Sequence, residues 1–500
     1  MTASLRIPAI RDLDLRSEKS VGRMVSVGYP VYAGAKTTRL TGDWRPVDGN
    51  VNDVIYGSSP IIRARVRQLI RDFPYFSRAT NMMVDYTVGE GIHFQSRVTK
   101  GDGRLNSRRI QQIEDVFNRW ADEADVSGKL HFYDIMRLAK RQDIEAGEFL
   151  IVKTRSKQPG RFLPFCLRVL EPDWLTNVHD VRYFSAPRSG AEVYQGVEYD
   201  SLTGERIAYH LMDPYYGWGN TVRIPADDVV HGYEVLRPGQ LRGISPYACG
   251  LLLANDLHAI IDAEIDAAKM ASKWLAMVTT DNPLGRQMGV GVTTDTDTGQ
   301  KIEELENAII EYLQPGEKVE LSANPRPGSN FAPFVRLILT MISVTTSVPL
   351  ELLTADYKGL NFSTAKMVRT DFAQSLRPVI RRHIRQFCTP IARAVLDEAV
   401  LAGKLDLPGY WSNPWPYWAI EWQPPGMESI DPMRETKSNV DEIKQRLRSP
   451  QEIIKSRGRD PEAVVAEIAE FDKLCREKGI PPEWVSTATG NSPSAVSQQG

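Results

Sequence analysis

The sequence predicts an α+β fold, and two periodicities in the placement of apolar residues support this prediction. Over much of 60–146, apolar side chains recur every three to four residues, which is the spacing of amphipathic helices. Between Glu148 and Val235 the period shortens to two, which is typical of β-strands. Two longer helical patterns, at 245–277 and 363–403, follow this β-rich segment. Helices and strands therefore occupy separate stretches of the chain, as in α+β proteins.

The first helix is predicted to start at Pro60, because Ser59 is a favourable N-cap and proline is tolerated in the first turn. Residues 1–50 mix charged residues, glycine and isolated apolar residues without a period, so we expect an extended N-terminal arm. Further amphipathic helices are predicted at 75–88, 110–121 and 132–146.

Five strands are predicted in the β-rich segment, separated by turn signals that contain glycine, proline, aspartate or serine. They lie at 149–153, 165–170, 193–199, 206–212 and 229–235.

A long helix is predicted to begin at Ser245–Pro246 and to continue to about Met277. It would be about 50 Å long at 1.5 Å per residue. One face of this helix is apolar and another carries charges of both signs. The charged face comprises Asp262, Asp266, Lys269 and Lys273.

The remainder of the chain is predicted to be mainly helical. Ser363 is expected to cap a last long helix that bends at Pro378 and Pro390 and ends near Gly403. A short helix is predicted at 301–313, a longer helix at 331–348, a strand-like tryptophan-rich segment at 411–422, helices with turns at 430–478, and a disordered tail at 486–500.

The composition limits the class of protein. The chain has 500 residues, enough for about three domains, with 42% hydrophobic residues and a net charge of −2. This charge argues against tight, static binding of nucleic acid but is compatible with a channel that holds it weakly. The four cysteines form no C-x-x-C pair, which fits a reducing cytoplasm. Neither a secretory signal nor a membrane span is expected.

No catalytic residue, cofactor site or metal site is predicted, and we expect the protein not to be an enzyme. Ser363-Thr-Ala-Lys366 matches the S-x-x-K motif of acyl-transfer enzymes, but no K-T-G element follows it. A helix cap followed by a solvated lysine is the favoured interpretation. The histidines are scattered, without the spacing of a metal site on one helix.

Charge is unevenly distributed between the two longest helices. From Ser363 to Arg393 there are seven lysines and arginines against one aspartate, whereas 245–277 carries four acidic residues against two lysines. The basic run has two open interpretations. It forms either a face that is solvated or paired with acids of a neighbouring subunit, or a basic collar near a DNA path.

An ordered series of short motifs resembles the lambda-type portal proteins of tailed bacteriophages. Examples are Val88-Gly-Glu-Gly-Ile92 and Arg237-Pro-Gly-Gln-Leu-Arg-Gly243. The other matching segments are 67–79, 117–120, 146–149, 224–231, 315–319, 349–353, 361–363, 384–388 and 457–461.

The resemblance implies a portal fold assembled into a ring-shaped, dodecameric homo-oligomer with wing, stem, clip and crown. After an arm at 1–50, the implied regions follow the chain in order. They are a wing at 51–243, a first stem helix at 244–277, a clip at 278–329, a second stem helix at 330–348, a tunnel loop at 349–362, a kinked spine helix returning to the wing at 363–425, a crown at 426–485 and the tail at 486–500.

The implied function is a head–tail connector at one capsid vertex of the virion, assembled in the host cytoplasm. Double-stranded DNA would be packaged and later ejected through its channel without sequence recognition. The implied partners are the terminase large subunit, head–tail connector or tail-completion proteins, and the major capsid and scaffold proteins, with no membrane. Candidate DNA-facing residues are Lys358, Asp356, Tyr357, Asn361 and Lys366.

Two other classes of function stay open on the sequence alone. One is an oligomeric adaptor or structural protein that passes no DNA. The other is an acyl hydrolase that uses Ser363 and Lys366. A ring whose lumen is too narrow for duplex DNA would favour the adaptor, and loss of an activity in Ser363→Ala would favour the hydrolase.

Overall fold

The computed structural model describes most of the chain, in two compact units. The described residues are 49–177, 180, 191–212, 221–273, 277–280, 292–294, 301–303, 317–320, 328, 330–426 and 431–479. One unit comprises 1–248 and 346–500, and the other comprises 249–345. The mixture of helices and sheets confirms the predicted α+β class. The predicted arm up to residue 48 and the tail at 486–500 lie outside the described residues.

The helices occur along the whole described chain. They are α1 (Val51–Asp72), α2 (Pro74–Thr87), α3 (Ser107–Ala121), α4 (Phe132–Glu145), α5 (Leu251–Lys273), α6 (Phe331–Thr346), α7 (Leu350–Thr354), α8 (Phe362–His383), α9 (Thr389–Leu401), α10 (Pro432–Lys444), α11 (Pro450–Ser456) and α12 (Pro461–Glu477).

The strands pair entirely antiparallel among the described residues. They are β1 (His93–Ser96), β2 (Glu148–Arg155), β3 (Phe165–Leu170), β4 (Ala191–Tyr194), β5 (Val197–Asp200), β6 (Arg206–Leu211), β7 (Val222–Pro225), β8 (Val229–Tyr233), β9 (Met277–Thr280), β10 (Val292–Thr294), β11 (Lys301–Glu303), β12 (Glu317–Glu320) and β13 (Ile420–Gln423). The larger sheets have the orders β3-β2-β8 and β4-β5-β6-β7, and the two-stranded pairs are β1–β13, β9–β12 and β10–β11.

The predicted start of the first helix is wrong. Helix α1 begins at Val51, where the Asn50 side chain accepts a hydrogen bond from the backbone N–H of Asn52 at 2.9 Å. Pro60 therefore lies inside α1 rather than at its first turn. The asparagine cap and the buried residues Ile55 and Ser59 extend the helix through a position where proline removes one backbone hydrogen bond.

The segment 193–199, predicted as one strand, is a hairpin. Strands β4 and β5 pair through it with Tyr194 opposite Val197. The two residues between them, Gln195 and Gly196, have φ values of 53° and 77°. Two consecutive positive φ angles are the geometry of a tight hairpin turn, which the alternating apolar pattern concealed.

The helix predicted to run from Ser245 to about Met277 is shorter. A 3₁₀ turn occupies Pro246–Gly250, and α5 then covers 23 residues, or about 35 Å. Met277 begins β9, which pairs with β12. The residues that follow Met277 are Val278, Thr279 and Thr280, and this β-branched run favours a strand.

The predicted helix at 301–313 is wrong at its start, because Lys301–Glu303 is β11 and pairs with β10. The rest of that prediction lies outside the described residues. By contrast, the helix predicted at 331–348 corresponds closely to α6, Phe331–Thr346.

The last long helix is interrupted by a wider turn. Helix α8 passes into a π-helical turn at Ile384–Cys388 and then into α9. Pro390 lies in the first turn of α9, where its missing N–H cannot bond the carbonyl of Gln386. The π turn places Phe387 and Cys388 in the main core, since both are fully buried.

The main core of the larger unit is rich in aromatic side chains. Phe94 and Phe117 stack with ring centroids 4.2 Å apart, and the indole of Trp120 donates to the carbonyl of Phe165 at 2.9 Å. Phe387 from the π turn stacks on Phe132 of α4 at 5.6 Å. This core therefore joins α3, α4 and the end of the long helical segment into one body.

Candidate functional site

A short exposed loop between α7 and α8 contains most of the predicted DNA-facing residues. The Asp356 carboxylate accepts from the backbone N–H of Lys358 at 3.2 Å, and the Tyr357 carbonyl accepts from Leu360 at 3.3 Å. Asp356 therefore shapes the turn, whereas Tyr357 and Lys358 are exposed at its tip. The loop also has positive φ angles at Ala355, 55°, and Gly359, 80°.

Both ends of this loop are fixed. On one side, Leu353 is fully buried and the guanidinium of Arg78 on α2 donates to the carbonyl of Leu352 at 2.6 Å. On the other side, the Asn361 side chain accepts from the backbone N–H of Thr364 at 2.8 Å and caps α8. Asn361 is thus a helix cap, and Ser363, predicted as the cap, lies in the first turn of α8.

Lys366 lies one turn into α8 and lines an open groove of about 690 Å³ between α8 and the segment 431–456. We call this feature the spine groove. Arg369, Arg377, Thr370 and Gln374 line the same wall as Lys366. The structure thus places Lys366 in the groove and Lys358 on the loop, so the two predicted lysines belong to different surfaces.

The proposed Ser363–Lys366 dyad has no hydrogen bond between its members among the described contacts. Ser363 is exposed in the first helical turn, and Lys366 faces the spine groove. Among the described residues there is also no group of three histidine, cysteine, aspartate or glutamate side chains placed to hold a metal ion.

The predicted charged face of α5 lies in the smaller unit and is exposed. The Asp266 carboxylate pairs with Lys269 at 3.0 Å, and Asp262 lies 3.5 Å from the ring of His258. These acids therefore have neighbours on their own helix, one turn away. The side chain of Lys273 lies outside the described residues.

Helix α6, in the same unit, carries an exposed apolar stripe. Phe334, Leu337, Met341 and Val344 are exposed by 47%, 54%, 47% and 76%. Their spacing of three, four and three residues puts all four on one face of the helix. The other face is covered, since Ile338, Leu339 and Ile342 are buried. An aligned stripe of this kind marks an interaction surface rather than scattered surface residues.

A buried charged junction centres on Glu148 at the start of β2. Its carboxylate accepts from Arg242 at 2.6 Å, from the backbone N–H of Gly243 at 2.8 Å and from the His231 ring at 3.0 Å. Arg63 of α1 lies 3.6 Å away. Three of the motif segments, 146–149, 224–231 and 237–243, thus meet at one buried carboxylate.

The pKa values at the junction follow from its burial and its partners. Burial alone would raise the pKa of Glu148, but Arg242 and His231 more than offset this and hold the pKa well below its ordinary value. Burial lowers the pKa of His231 to about 4, despite the opposing effect of Glu148. The junction therefore holds an ionised glutamate and a neutral histidine at neutral pH.

Two glycines allow the chain to cross at this junction. A Cβ on Gly147, whose φ is +83°, would lie 2.0 Å from the carbonyl carbon of Ile244. A Cβ on Gly243 would lie 2.1 Å from the carbonyl oxygen of Gly147. Only glycine fits where two backbones approach so closely, which explains both glycines of the motif pair.

A second buried ion network attaches the long helix to α4. Asp143 accepts from Lys140 at 2.6 Å and from Arg382 of α8 at 2.9 Å. Arg382 also pairs with Glu234 at 2.8 Å. The next residue, His383, stacks on Phe387 at 5.1 Å, and its burial lowers its pKa to about 3. These contacts fix the C-terminal end of α8, while the part of α8 from Phe362 to Arg377 borders the spine groove.

Sequence reasoning did not single out the buried junction, Arg369 and Arg377 as members of one groove wall, or the stripe on α6. The stripe could have been found from the composition, because ten of the 14 residues in 331–344 are apolar, more than a single buried helix face needs. The junction could not, since the partners of Glu148 lie up to 95 residues away from it in the sequence. Among the described residues, no helix is long and apolar enough to cross a membrane. Exposed charged and apolar helix faces together define a protein that assembles with other chains.

Comparison with known proteins identifies the family. The family model of the phage portal protein, lambda family, matches residues 37–378. A probable portal protein of Halomonas phage phiHAP-1 is 27% identical over 478 residues, covering 92% of this chain and 90% of the relative. Portal protein B of Escherichia phage lambda is 20% identical, covering 89% and 90%. A chain from the neck of a native gene transfer agent particle, computed with C12 symmetry, is 14% identical with a TM-score of 0.43 and covers 84% of this chain and 97% of that chain.

The family model covers more than half of the chain, so this protein belongs to the lambda family of phage portal proteins. The resemblance noted from the ordered motifs is thereby confirmed.

Proposed function

We propose that this chain forms a dodecameric ring at one vertex of the phage capsid and that the ring is the channel for packaging and ejecting DNA. The observation that carries this proposal, beyond the family, is the apolar stripe on α6. Four aligned apolar side chains exposed to water destabilise a monomer in solution, and a second copy can cover them. Repetition of one heterologous contact around a closed ring buries every copy of the stripe.

Within this proposed ring, each region of the portal fold corresponds to a range of the chain. Residues 51–243 form most of the wing, α5 and α6 form the stem, and 278–329 form the clip. Residues 349–362, which include α7 and the exposed loop, form the tunnel loop. The long helical segment 363–425 is the spine that returns to the wing, and 426–485 is the crown.

The channel would hold DNA weakly and without reading its sequence. Each phosphate that a basic side chain neutralises adds affinity through counterion release, so a lumen with few basic contacts favours sliding. Lys358 is the proposed contact, because it is exposed at the tip of a loop whose two ends are fixed. Tyr357 would pack beside the duplex, and the acids of α5, Asp262 and Asp266, would repel it.

The remaining roles depend on partners. The sequence contains no phosphate-binding loop, so the energy for packaging would come from the terminase large subunit docked on the clip. Head–tail connector or tail-completion proteins would occupy that surface later. The major capsid and scaffold proteins would surround the wing during assembly in the host cytoplasm, and the mature protein would reside in the virion.

The role of the stripe is tested by placing a charge in it. Met341→Asp is expected to shift the purified protein from rings to smaller species in sedimentation velocity, because burial of an unpaired carboxylate is costly. Leu202→Asp is the matched control, since Leu202 is equally apolar and 61% exposed but lies on a turn of the larger unit. Unchanged rings in Met341→Asp would contradict the proposed use of the stripe.

The role of Lys358 is tested in assembled particles. Lys358→Ala is expected to leave ring formation intact and to change the amount of DNA packaged or retained per particle. Lys157→Ala, another exposed lysine in the wing region, is the control. If both variants package and retain DNA like the unmodified protein, Lys358 does not contact DNA in the channel.

A further inference from the structure

Helix α12 is exposed over most of its surface. Of its 17 residues, only Pro461 and Cys475 are buried. Its apolar residues Val465, Ile468 and Leu474 are exposed as well. A single helix of this length is marginally stable in water, and most helices in proteins depend on packing. The helix therefore presents surfaces that a further chain can cover.

One face of α12 is acidic. Glu470 and Glu477 are seven residues apart, so they lie on the same face and about 10 Å apart along the axis. Both are exposed, and within the described part of the chain neither forms an ion pair. The helix as a whole has five acidic residues against one lysine and one arginine.

The spine groove offers the complementary charge. Lys366, Arg369 and Arg377 line its α8 wall, and none of the three forms an ion pair with a described residue. Arg369 and Arg377 are eight residues apart, or about 12 Å along the axis. On the opposite wall, Arg434 pairs with Asp431 at 3.4 Å and Arg448 with Glu442 at 3.3 Å. The groove lining therefore has five basic residues against three acidic ones, and its unpaired basic side chains are on α8.

The helix does not reach this groove within its own chain. No residue of α12 lines the spine groove. The start of α12 is instead held by Arg97, which lies 3.5 Å from Asp460 and 3.8 Å from Glu462. A second copy of the chain can supply the same acidic face to the groove without breaking these contacts.

We propose that the acidic face of α12 in one copy docks in the spine groove of a neighbouring copy, with Glu470 and Glu477 against the basic wall of α8. This inference rests on the proposed ring, and it locates a second contact between subunits, away from the stripe on α6. A helix of a second copy is the proposed occupant, because Glu470 and Glu477 lie about 10 Å apart along one face of α12 and Arg369 and Arg377 lie about 12 Å apart along α8.

A crosslinking experiment on the full chain tests the contact directly. Gln374→Cys places a thiol in the groove, and Lys473→Cys places one between Glu470 and Glu477 on α12. The exposed Cys249 is replaced by serine in every variant. Mild oxidation of the double-cysteine protein is expected to give a ladder of covalent oligomers on a denaturing gel. The control pairs Gln374→Cys with Ile468→Cys, on the opposite face of α12, and should give no ladder.

Charge reversal provides an independent readout. Arg369→Glu with Arg377→Glu, or Glu470→Lys with Glu477→Lys, should each raise the concentration at which rings dissociate by at least about tenfold, as expected for the loss of two charge pairs plus the repulsion that replaces them. Combining the four substitutions should restore assembly, because the charges are exchanged rather than removed. Rescue of this kind separates a contact from a folding defect.

The outcomes distinguish this inference from the proposed function. Rings in the native mass spectrum without a ladder or rescue would overturn the docking and leave the ring intact. A monomer with an internal disulfide would show that α12 reaches its own groove, which also overturns the proposal. Normal assembly of the α8 reversal variant with loss of DNA retention, and no ladder from the double-cysteine protein, would overturn the docking and assign the groove to DNA. Absence of rings for the unmodified chain would contradict the proposed function itself.

Discussion

Removal of the buried carboxylate of Glu148 is predicted to destabilise the wing region strongly. Replacement by alanine removes the acceptor for Arg242, His231 and the backbone of Gly243 at once. The guanidinium of Arg242 would remain in the protein interior without a counter-charge, since Arg242 is only 6% exposed. Leaving one member of a buried ion pair uncompensated costs about 3–5 kcal/mol.

This cost is large relative to the stability of a domain, which is about 5–15 kcal/mol. Because a chain with two compact units does not unfold in one step, a global midpoint is a poor measure. Amide hydrogen exchange reports the opening of each strand separately. A change of about 4 kcal/mol corresponds to roughly a thousandfold faster exchange of the protected amides in β2 and β8.

Asp85→Ala is the matched control, because Asp85 pairs with Arg137 at 2.7 Å but is exposed to solvent. Its loss should cost at most about 1 kcal/mol. Glu148→Gln separates charge from shape, since the amide retains one acceptor oxygen for Arg242. If Glu148→Ala accelerates amide exchange in β2 no more than Asp85→Ala accelerates it near Asp85, the charge of Glu148 does not stabilise the buried junction.

Three further predictions concern single positions. Gly147→Ala should destabilise by several kcal/mol, because its Cβ meets backbone at 2.0 Å, whereas Gly204→Ala, with a similar positive φ but open space, should cost about 1 kcal/mol in chemical denaturation. Asn361→Ala should cost about 1 kcal/mol and loosen the start of α8 in hydrogen exchange, while Ser363→Ala should be nearly neutral; the reverse order would restore Ser363 as the cap. Burial lowers the pKa of His231 to about 4 in the folded protein, whereas its unfolded pKa is near 6.5. The folding stability is therefore unaffected by His231 above pH 6.5 and falls as the pH drops from about 6.5 toward 4, because only the unfolded chain takes up the proton. His231→Gln should remove about 3 kcal/mol of that loss, and an unchanged pH profile of unfolding would contradict the lowered pKa.

Local patterns in the sequence predicted the helices and strands that have strong periodicity. Strand β3 at 165–170 and the helices near 75–88 and 132–146 were predicted within about one residue, because their apolar faces are regular. The predictions failed where a local signal has two interpretations. Ser59–Pro60 is a valid helix start, but an asparagine nine residues earlier caps the helix first.

Of the candidate sites, one was expected from the sequence, and two depend on contacts between distant parts of the chain. The resemblance to portal proteins implied a tunnel loop at 349–362, and the structure has an exposed loop within that range that carries Asp356, Tyr357 and Lys358. The buried junction requires contacts between β2, β8 and the segment before α5, and these pairings depend on topology rather than on local sequence. The spine groove is equally non-local, because α8 supplies only one of its walls.

The proposed function requires that this chain close into a ring around a channel for DNA. Negative-stain imaging of the purified full-length protein, with native mass spectrometry of the same sample, tests it most directly. We expect rings with near-dodecameric symmetry and a central hole wide enough for duplex DNA. A monomer or dimer under every assembly condition, or a ring whose hole is too narrow for a duplex, would contradict the channel and return the protein to the class of structural adaptors.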